Sequence, residues 1–250
     1  MDRSQLLALL DAVRTGAVAP ADAAHQIGEL PYAEAADAVV IDHHRELRTG
    51  VPELVYGAGK TPEQIAAALR ELATRGGALA TRVDADKAAR VAALVPGLVI
   101  HELARVIALG ARPARPPAAR IAIVCAGTSD LPVAEEAALV AEFLGAPVTR
   151  VSDVGVAGLH RLLARLDEIR AADVVIAVAG MEAALPSVLG GLVDRPMIAV
   201  PTSVGYGVSL DGLVALGALL AGCAPGVTVV NIDNGVGAAV AAVKIARLVK

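Results

Sequence analysis

The segment Ala126-Gly-Thr-Ser-Asp-Leu131 follows directly on the apolar run Ile121-Ala-Ile-Val-Cys125. A buried strand that empties into a glycine, two hydroxyls and a carboxylate is how an α/β protein builds an anion pocket. Small residues let backbone N–H groups approach a ligand, and the helix that follows presents its positive N-terminus. Gly127, Thr128, Ser129 and Asp130 are therefore candidates to cradle a phosphate, with Asp130 also a candidate metal or hydroxyl ligand. The same residues read equally as an ordinary helix start, with Ser129 or Asp130 as N-cap and Pro132 in the first turn. Three more junctions have this form: Ser152-Asp-Val-Gly-Val-Ala-Gly-Leu-His160, Ala179-Gly-Met-Glu-Ala-Ala-Leu-Pro186 and Val200-Pro-Thr-Ser-Val-Gly-Tyr-Gly207. In a parallel sheet such junctions gather at one edge, where ligands bind.

Each junction carries side chains that can do chemistry. Asp153 and His160 flank a Gly-rich turn, and His160 with Arg161 could receive an anion or act as acid or base; a solvated imidazole and guanidinium are the plain alternative. Glu182 stands among residues too small and apolar to favour an idle carboxylate, so it is expected to be desolvated and poised for proton transfer. Its neighbours Gly180 and Met181, and Ser203 in the next junction, complete the candidate substrate contacts on that side. Asn231, Asp233 and Asn234 end the last predicted strand and suit a ribose or amide edge, or an ordinary turn rich in Asx residues. Of the two cysteines, Cys125 lies inside an apolar strand and reads as inert core. Cys223, in Gly222-Cys-Ala-Pro-Gly226, stands at a junction where a thiolate could be exposed, although the preceding helix C-terminus disfavours an anion there. His43, His44 and Glu46 lack a second cluster at metal-ligand spacing, so a structural zinc site is not expected.

The elements that must position these groups divide the chain in two. Residues 1–115 are richer in charge, with helices expected from Ser4 to about Thr15, over Pro20–Gly28, from the Thr61-Pro-Glu-Gln64 start and over Asp84–Val95. Ala35–Ile41 and Ala78–Val83 read as strands, and Leu98–Ile107 as one further apolar segment. The Pro-rich stretch Arg112–Pro117 marks the boundary. From residue 118 to 250, strands at about 120–125, 147–151, 173–178, 196–200 and 227–232 alternate with helices, which predicts a doubly wound parallel sheet, α/β in class, behind a smaller N-terminal α/β domain. With 56% hydrophobic residues, one Phe and no Trp, its core must be Ala, Val, Leu and Ile. A net charge of −4 argues against nucleic acid as a main partner. No uninterrupted apolar run of about 18 residues suggests a membrane span, and nothing suggests secretion, so a cytoplasmic protein is expected.

Ala126-Gly-Thr-Ser-Asp-Leu-Pro-Val-Ala-Glu-Glu-Ala137, Asp153–Arg161, Gly180-Met-Glu-Ala-Ala-Leu-Pro-Ser187, Pro201–Gly207 and Asn231-Ile-Asp-Asn-Gly235 together resemble the nickel-pincer nucleotide biosynthesis protein B family, the accessory carboxylases of the lactate racemase system. Arg45-Glu-Leu-Arg-Thr-Gly-Val-Pro-Glu53, Gly59-Lys-Thr-Pro62 and Ala80-Thr-Arg82 are similar to its N-terminal signatures, so the likeness spans nearly the whole chain. The C-terminal half resembles, more distantly, the carboxyaminoimidazole ribonucleotide mutases, which share a flavodoxin-like sheet and move a carboxylate.

The resemblance implies carboxylation of the pyridinium ring of nicotinic acid adenine dinucleotide by CO2 and hydrolysis of its phosphoanhydride, releasing AMP and pyridinium-3,5-biscarboxylic acid mononucleotide. It places the family's nucleophilic cysteine on Cys223 and its motif glutamate on Glu182. Thiolate addition removes the ring's aromaticity and gives C5 the electron density to attack CO2; a base then takes the C5 proton and the thiolate leaves. Ser129 and Asp130 would hold the phosphates or a Mg²⁺ ion, and His160 and Arg161 a phosphate or carboxylate. No bound organic cofactor is implied, and the relatives assemble as homo-octamers. Ala183, the pair Ala221-Gly222 and Val236 depart from the family's pattern beside these positions, which touches pocket detail rather than the chemistry. Two rivals stand beside this reading: a mutase, which has no use for a cysteine nucleophile, and a non-catalytic nucleotide-binding protein using the same pocket.

Overall fold

The computed structural model describes residues 3–28, 32–36, 38–111 and 119–248. Within them the chain divides into two compact units. The Pro-rich stretch expected to separate them lies outside the described residues.

The N-terminal unit opens with helices α1 (Arg3–Arg14) and α2 (Pro20–Gly28) and a small antiparallel hairpin, β1 (Ala33–Ala36) with β2 (Val39–Ile41). Then follow α3 (Arg45–Thr49), β3 (Val55–Tyr56), α4 (Pro62–Ala73), β4 (Ala78–Thr81), α5 (Ala85–Leu94), β5 (Leu98–His101) and β6 (Val106–Leu109). The last four strands form a mixed sheet in the order β3-β4-β6-β5. The start of α4 is fixed as its sequence predicts. The Thr61 hydroxyl accepts from the Gln64 N–H at 3.2 Å and the Gln64 side chain accepts from the Thr61 N–H at 3.0 Å, with proline in the first turn. Ile65, Leu69 and Leu72 on the inner face of α4 pack with Ala78, Ala80, Val91 and Ile107 into one core. His43 is buried, with Nε2 2.7 Å from Glu71 Oε1, which makes it a structural partner of α4.

Two expectations fail here for a common reason. The segments Ala35–Ile41 and Leu98–Ile107, each read as one element, are both hairpins. Their turns put non-glycine residues, Ala38 and Arg105, at φ 59° and 52°, so the glycine that ordinarily flags such a reversal is missing.

The C-terminal unit holds five parallel strands: β7 (Ile121–Cys125), β8 (Val148–Val151), β9 (Val174–Ala179), β10 (Met197–Pro201) and β11 (Val227–Val229). Their order, β8-β7-β9-β10-β11, is that of the flavodoxin-like sheet, with the direction of winding reversing between β7 and β9. Every residue of β7, β9 and β10 is buried. That requires cover on both faces and explains their uninterrupted apolar sequences. Helices α6 (Leu131–Phe143) and α11 (Gly235–Ala246) pack together on one face; α7 (Leu159–Ala164), α8 (Leu166–Arg170), α9 (Ala184–Gly190) and α10 (Leu213–Leu220) cover the other. The alanines of the sequence serve the first pair. A Cβ on Gly235 would stand 2.7 Å from the Val133 carbonyl oxygen, so the start of α11 touches α6 backbone. Close approach of this kind takes the place of aromatic bulk.

The single helix expected after β8 is instead a 3₁₀ turn (Val156–Gly158) followed by α7 and α8, broken at Arg165. The helix before β11 begins at Leu213 because Leu210 and Asp211 are left-handed, at φ 48° and 51°.

Candidate active site

All five loops that leave the carboxyl ends of the strands reach the same edge of the sheet. Six of the nine described non-glycine residues with positive φ lie in them: Asp153, Met181, Ala183, Leu210, Asp211 and Asp233. Non-glycine residues hold such conformations only where the surroundings over-determine them, and they concentrate at functional sites. The edge is thus built to a fixed shape.

Its centre is the loop after β7. A 3₁₀ turn, Thr128–Asp130, leads into α6 and leaves the Thr128 and Ser129 side chains exposed at the rim, as a phosphate cradle requires. Asp130 does the opposite. It is 4% exposed; its Oδ2 accepts from the Gly127 N–H at 3.0 Å and its Oδ1 from the Thr202 hydroxyl at 2.6 Å, while the Gly180 N–H also donates to the carboxylate. Burial pushes its pKa up, and the bonds from Thr202, Gly127 and Gly180 hold it down in part. Asp130 therefore faces the interior, with both oxygens committed. Among the described residues no group of three or more His, Cys, Asp or Glu side chains is placed to hold a metal ion. Mg²⁺ favours several oxygen donors, and the one carboxylate assigned to it here is buried with both oxygens already bonded within the chain, so Asp130 does not fit as its ligand.

The neighbouring junctions are pinned in the same way. The Ser203 N–H donates to Asp233 Oδ1 at 2.8 Å, and Asn234 caps α11 by accepting from the Gly237 N–H at 2.8 Å. Asn231 Oδ1 accepts from the Ile232 N–H, which leaves its amide nitrogen at the exposed rim. Asp153 pairs with Arg161 across the turn after β8, and His160 is exposed beside them. Met181 is 42% exposed and Ser203 is also open to solvent. Thr202, fully buried and reaching Asp130, is the residue the sequence did not single out, because its partner lies 72 positions away.

Glu182 is exposed, contrary to the desolvation expected from its small apolar neighbours. It stands in the turn before α9, at the outer rim, where adjacent alanines cannot cover it. The cysteines divide as expected: Cys125 is buried, with burial pushing its thiol up to about 12, whereas Cys223 is exposed. Cys223 belongs to the loop before β11, at the amino edge of the sheet. Glu182 precedes the first residue of α9, whereas the Cys223 loop packs along the second half of that helix. A Cβ on Gly222 would come 3.3 Å from Ser187 Oγ, and one on Gly190 would meet Ala224 Cβ at 2.8 Å. At about 1.5 Å per residue, the stretch from the N-cap Ala183 to Ser187 and Gly190 sets the two loops roughly 6–10 Å apart along the axis.

A flavodoxin-like sheet with exposed hydroxyls and strained loops at its carboxyl edge places this unit in the α/β class. Residues 33–111 match the LarB/PurE-like N-terminal domain and residues 120–250 the AIR carboxylase domain. An uncharacterised protein of Methanocaldococcus jannaschii is 39% identical over 249 residues, 96% of each chain. N5-carboxyaminoimidazole ribonucleotide mutases match the C-terminal half. That of the same organism is 38% identical over 133 residues, 51% of this chain and 79% of the mutase, and that of Pyrococcus horikoshii is 33% identical over 131 residues, 50% and 71%. The crystal structure of Treponema denticola PurE superposes with a TM-score of 0.45 at 22% identity, over 52% of this chain and 82% of that one. The chain belongs to the LarB-like family, in which this N-terminal domain precedes a PurE-like, AIR carboxylase-type domain. Among the described residues no helix is long and apolar enough to cross a membrane.

Proposed function

We propose that this protein is a pyridinium carboxylase and phosphoanhydride hydrolase. It converts nicotinic acid adenine dinucleotide and CO2 to pyridinium-3,5-biscarboxylic acid mononucleotide and AMP, the entry step of nickel-pincer cofactor assembly. The observation that carries the reading is the joining of a LarB/PurE-like N-terminal domain to an AIR carboxylase-type domain that bears an exposed cysteine at position 223.

The Cys223 thiolate adds to the pyridinium ring and converts it to an enamine. C5 then forms a bond to CO2, Glu182 takes the C5 proton, and the returning electron pair expels the thiolate and restores the aromatic ring. Exposure of both side chains lets them reach a ligand outside the chain's own core. Cys125, buried and with its thiol pushed up to about 12, cannot replace Cys223. Thr128, Ser129 and Asn231 line the rim where the dinucleotide's phosphates and sugar bind, with Arg161 and His160 at its side.

Cys223 and Glu182 lie on loops at different points along α9, and in this reading the site is closed between copies of the chain. A neighbouring copy brings its Cys223 to the carboxyl edge, within the octamer expected of the family. The outward face of α10 supports that assembly, since Leu213, Val214 and Leu220 stand exposed, with Tyr206 and Val208 nearby in the preceding loop. An isolated chain rarely leaves so many apolar groups in water.

Trapping tests the reading: after incubation with the dinucleotide and acid quench, intact mass should show an adduct on wild type and none on Cys223→Ser. Equal turnover by Cys223→Ser would remove the covalent route. The similarity of the C-terminal half to the mutases would then favour carboxylate transfer on an aminoimidazole ribonucleotide.

A further inference from the structure

Asp130 and Thr202 belong to loops after β7 and β10, which are not neighbours in the sheet; β9 runs between them. Their 2.6 Å hydrogen bond therefore crosses over the end of β9, at Gly180. A Cβ on Gly180 would stand 2.6 Å from Thr202 Oγ1, 2.4 Å from the Val204 carbonyl oxygen and 2.8 Å from Val204 Cβ. Gly180 has no positive φ, so the requirement for glycine is one of space rather than of backbone conformation. The Gly180 N–H also points into the Asp130 carboxylate. The three residues form one buried staple over the three central strands. Loops 126–130, 180–183 and 202–205 are tied to it within a residue or two of Ser129, Glu182 and Ser203.

We propose that Asp130, Gly180 and Thr202 act as positioning residues that hold the three ligand loops in register, and that Asp130 is not a metal ligand. This rests on reading the carboxyl edge as the nucleotide site. It leaves the substrate's own diphosphate as the ligand of any divalent cation the reaction uses.

The geometry separates the two roles. An amide at position 130 can turn its oxygen to the Gly127 N–H and donate from its nitrogen to the Thr202 oxygen, so Asp130→Asn removes the carboxylate charge while leaving the bridge in place. Thr202→Val removes the other end without touching a carboxylate, and Thr202→Ser keeps the hydroxyl. Three readouts decide: kcat and KM for the dinucleotide, the Mg²⁺ concentration for half-maximal rate, and Mn²⁺ binding to the nucleotide-free protein by electron paramagnetic resonance. We expect Thr202→Val to lower kcat/KM by about 10- to 100-fold, the scale of an ångström-sized misplacement, and Asp130→Asn to lower it by less than about tenfold. Thr202→Ser should recover to within about threefold. Mg²⁺ half-saturation should shift less than about twofold in all three, and Mn²⁺ binding should not distinguish wild type from Asp130→Asn. The proposal is overturned if Thr202→Val matches wild type, or if Asp130→Asn alone raises the Mg²⁺ requirement or abolishes Mn²⁺ binding. Should Thr202→Val fail to fold, Thr202→Ser and the Mn²⁺ titration still decide. Should wild type yield no product, the functional reading fails separately, and AMP affinity by calorimetry carries the same comparison of variants.

Discussion

Gly180→Ala isolates the staple in a single methyl group. The new carbon would sit 2.4 Å from the Val204 carbonyl oxygen and 2.6 Å from Thr202 Oγ1, distances at which something must move. Two of the three nearest atoms belong to the β10 loop's backbone and to a hydroxyl engaged with Asp130, so the loop rather than a flexible tip has to give. Overpacking of this kind costs about 1–3 kcal/mol. Losing a buried hydrogen bond to a carboxylate costs about 1.5–3 kcal/mol more. Together they predict destabilisation of the C-terminal unit by about 2.5–6 kcal/mol, a large part of the 5–15 kcal/mol typical of a domain. The assay is urea unfolding at pH 7 followed by circular dichroism, with Gly59→Ala as the control. A Cβ on Gly59 meets nothing within 4 Å, and its φ is not positive, so that change should stay within about 1 kcal/mol of wild type. A Gly180→Ala midpoint equal to that of wild type would refute the account of how the three loops are held.

Other expectations follow from single contacts. Asn234→Ala removes the cap of α11 and should cost about 1 kcal/mol in the same unfolding assay. Native alkylation with iodoacetamide at pH 8 should label Cys223 and spare Cys125, one label per chain by peptide mass, since only Cys223 is exposed. Because the Cys125 thiol is raised from 9 to about 12 in the fold, the unfolded chain ionises first as pH rises. Its contribution to stability is full below pH 9 and declines toward pH 12 by at most about 1.4 kcal/mol per unit, so Cys125→Ala should flatten the fall in urea midpoint above pH 9. Glu182→Gln should lower kcat about 10²- to 10⁴-fold while leaving the Cys223 adduct detectable by mass, because proton removal follows thiolate addition.

The sheet was legible because its strands are buried on both faces and therefore apolar without interruption, as in Val174–Ala179. Its winding followed from the alternation of strands with helices. Chain reversals at Ala38 and Arg105 and the helix break at Arg165 were not legible, since none carries glycine or proline to mark it. At the carboxyl edge of the sheet, the sequence indicated which loops gather there but not how their side chains turn. Asp130 and Ser129 are adjacent polar residues, yet one turns into the staple and the other to the rim. Only the register of β7, β9 and β10 brings Thr202 to Asp130 and decides between them. Glu182 shows the converse: alanine neighbours suggested burial, but a helix start at the edge of a sheet lets a long side chain reach water.

The central claim concerns the reaction. Its most direct test is mass spectrometry of the products after incubating the protein with nicotinic acid adenine dinucleotide, Mg²⁺ and ¹³C-bicarbonate. The account predicts AMP together with a mononucleotide that carries one ¹³C-labelled carboxylate. Folded protein that releases neither, or that releases AMP with an unlabelled mononucleotide, would contradict it.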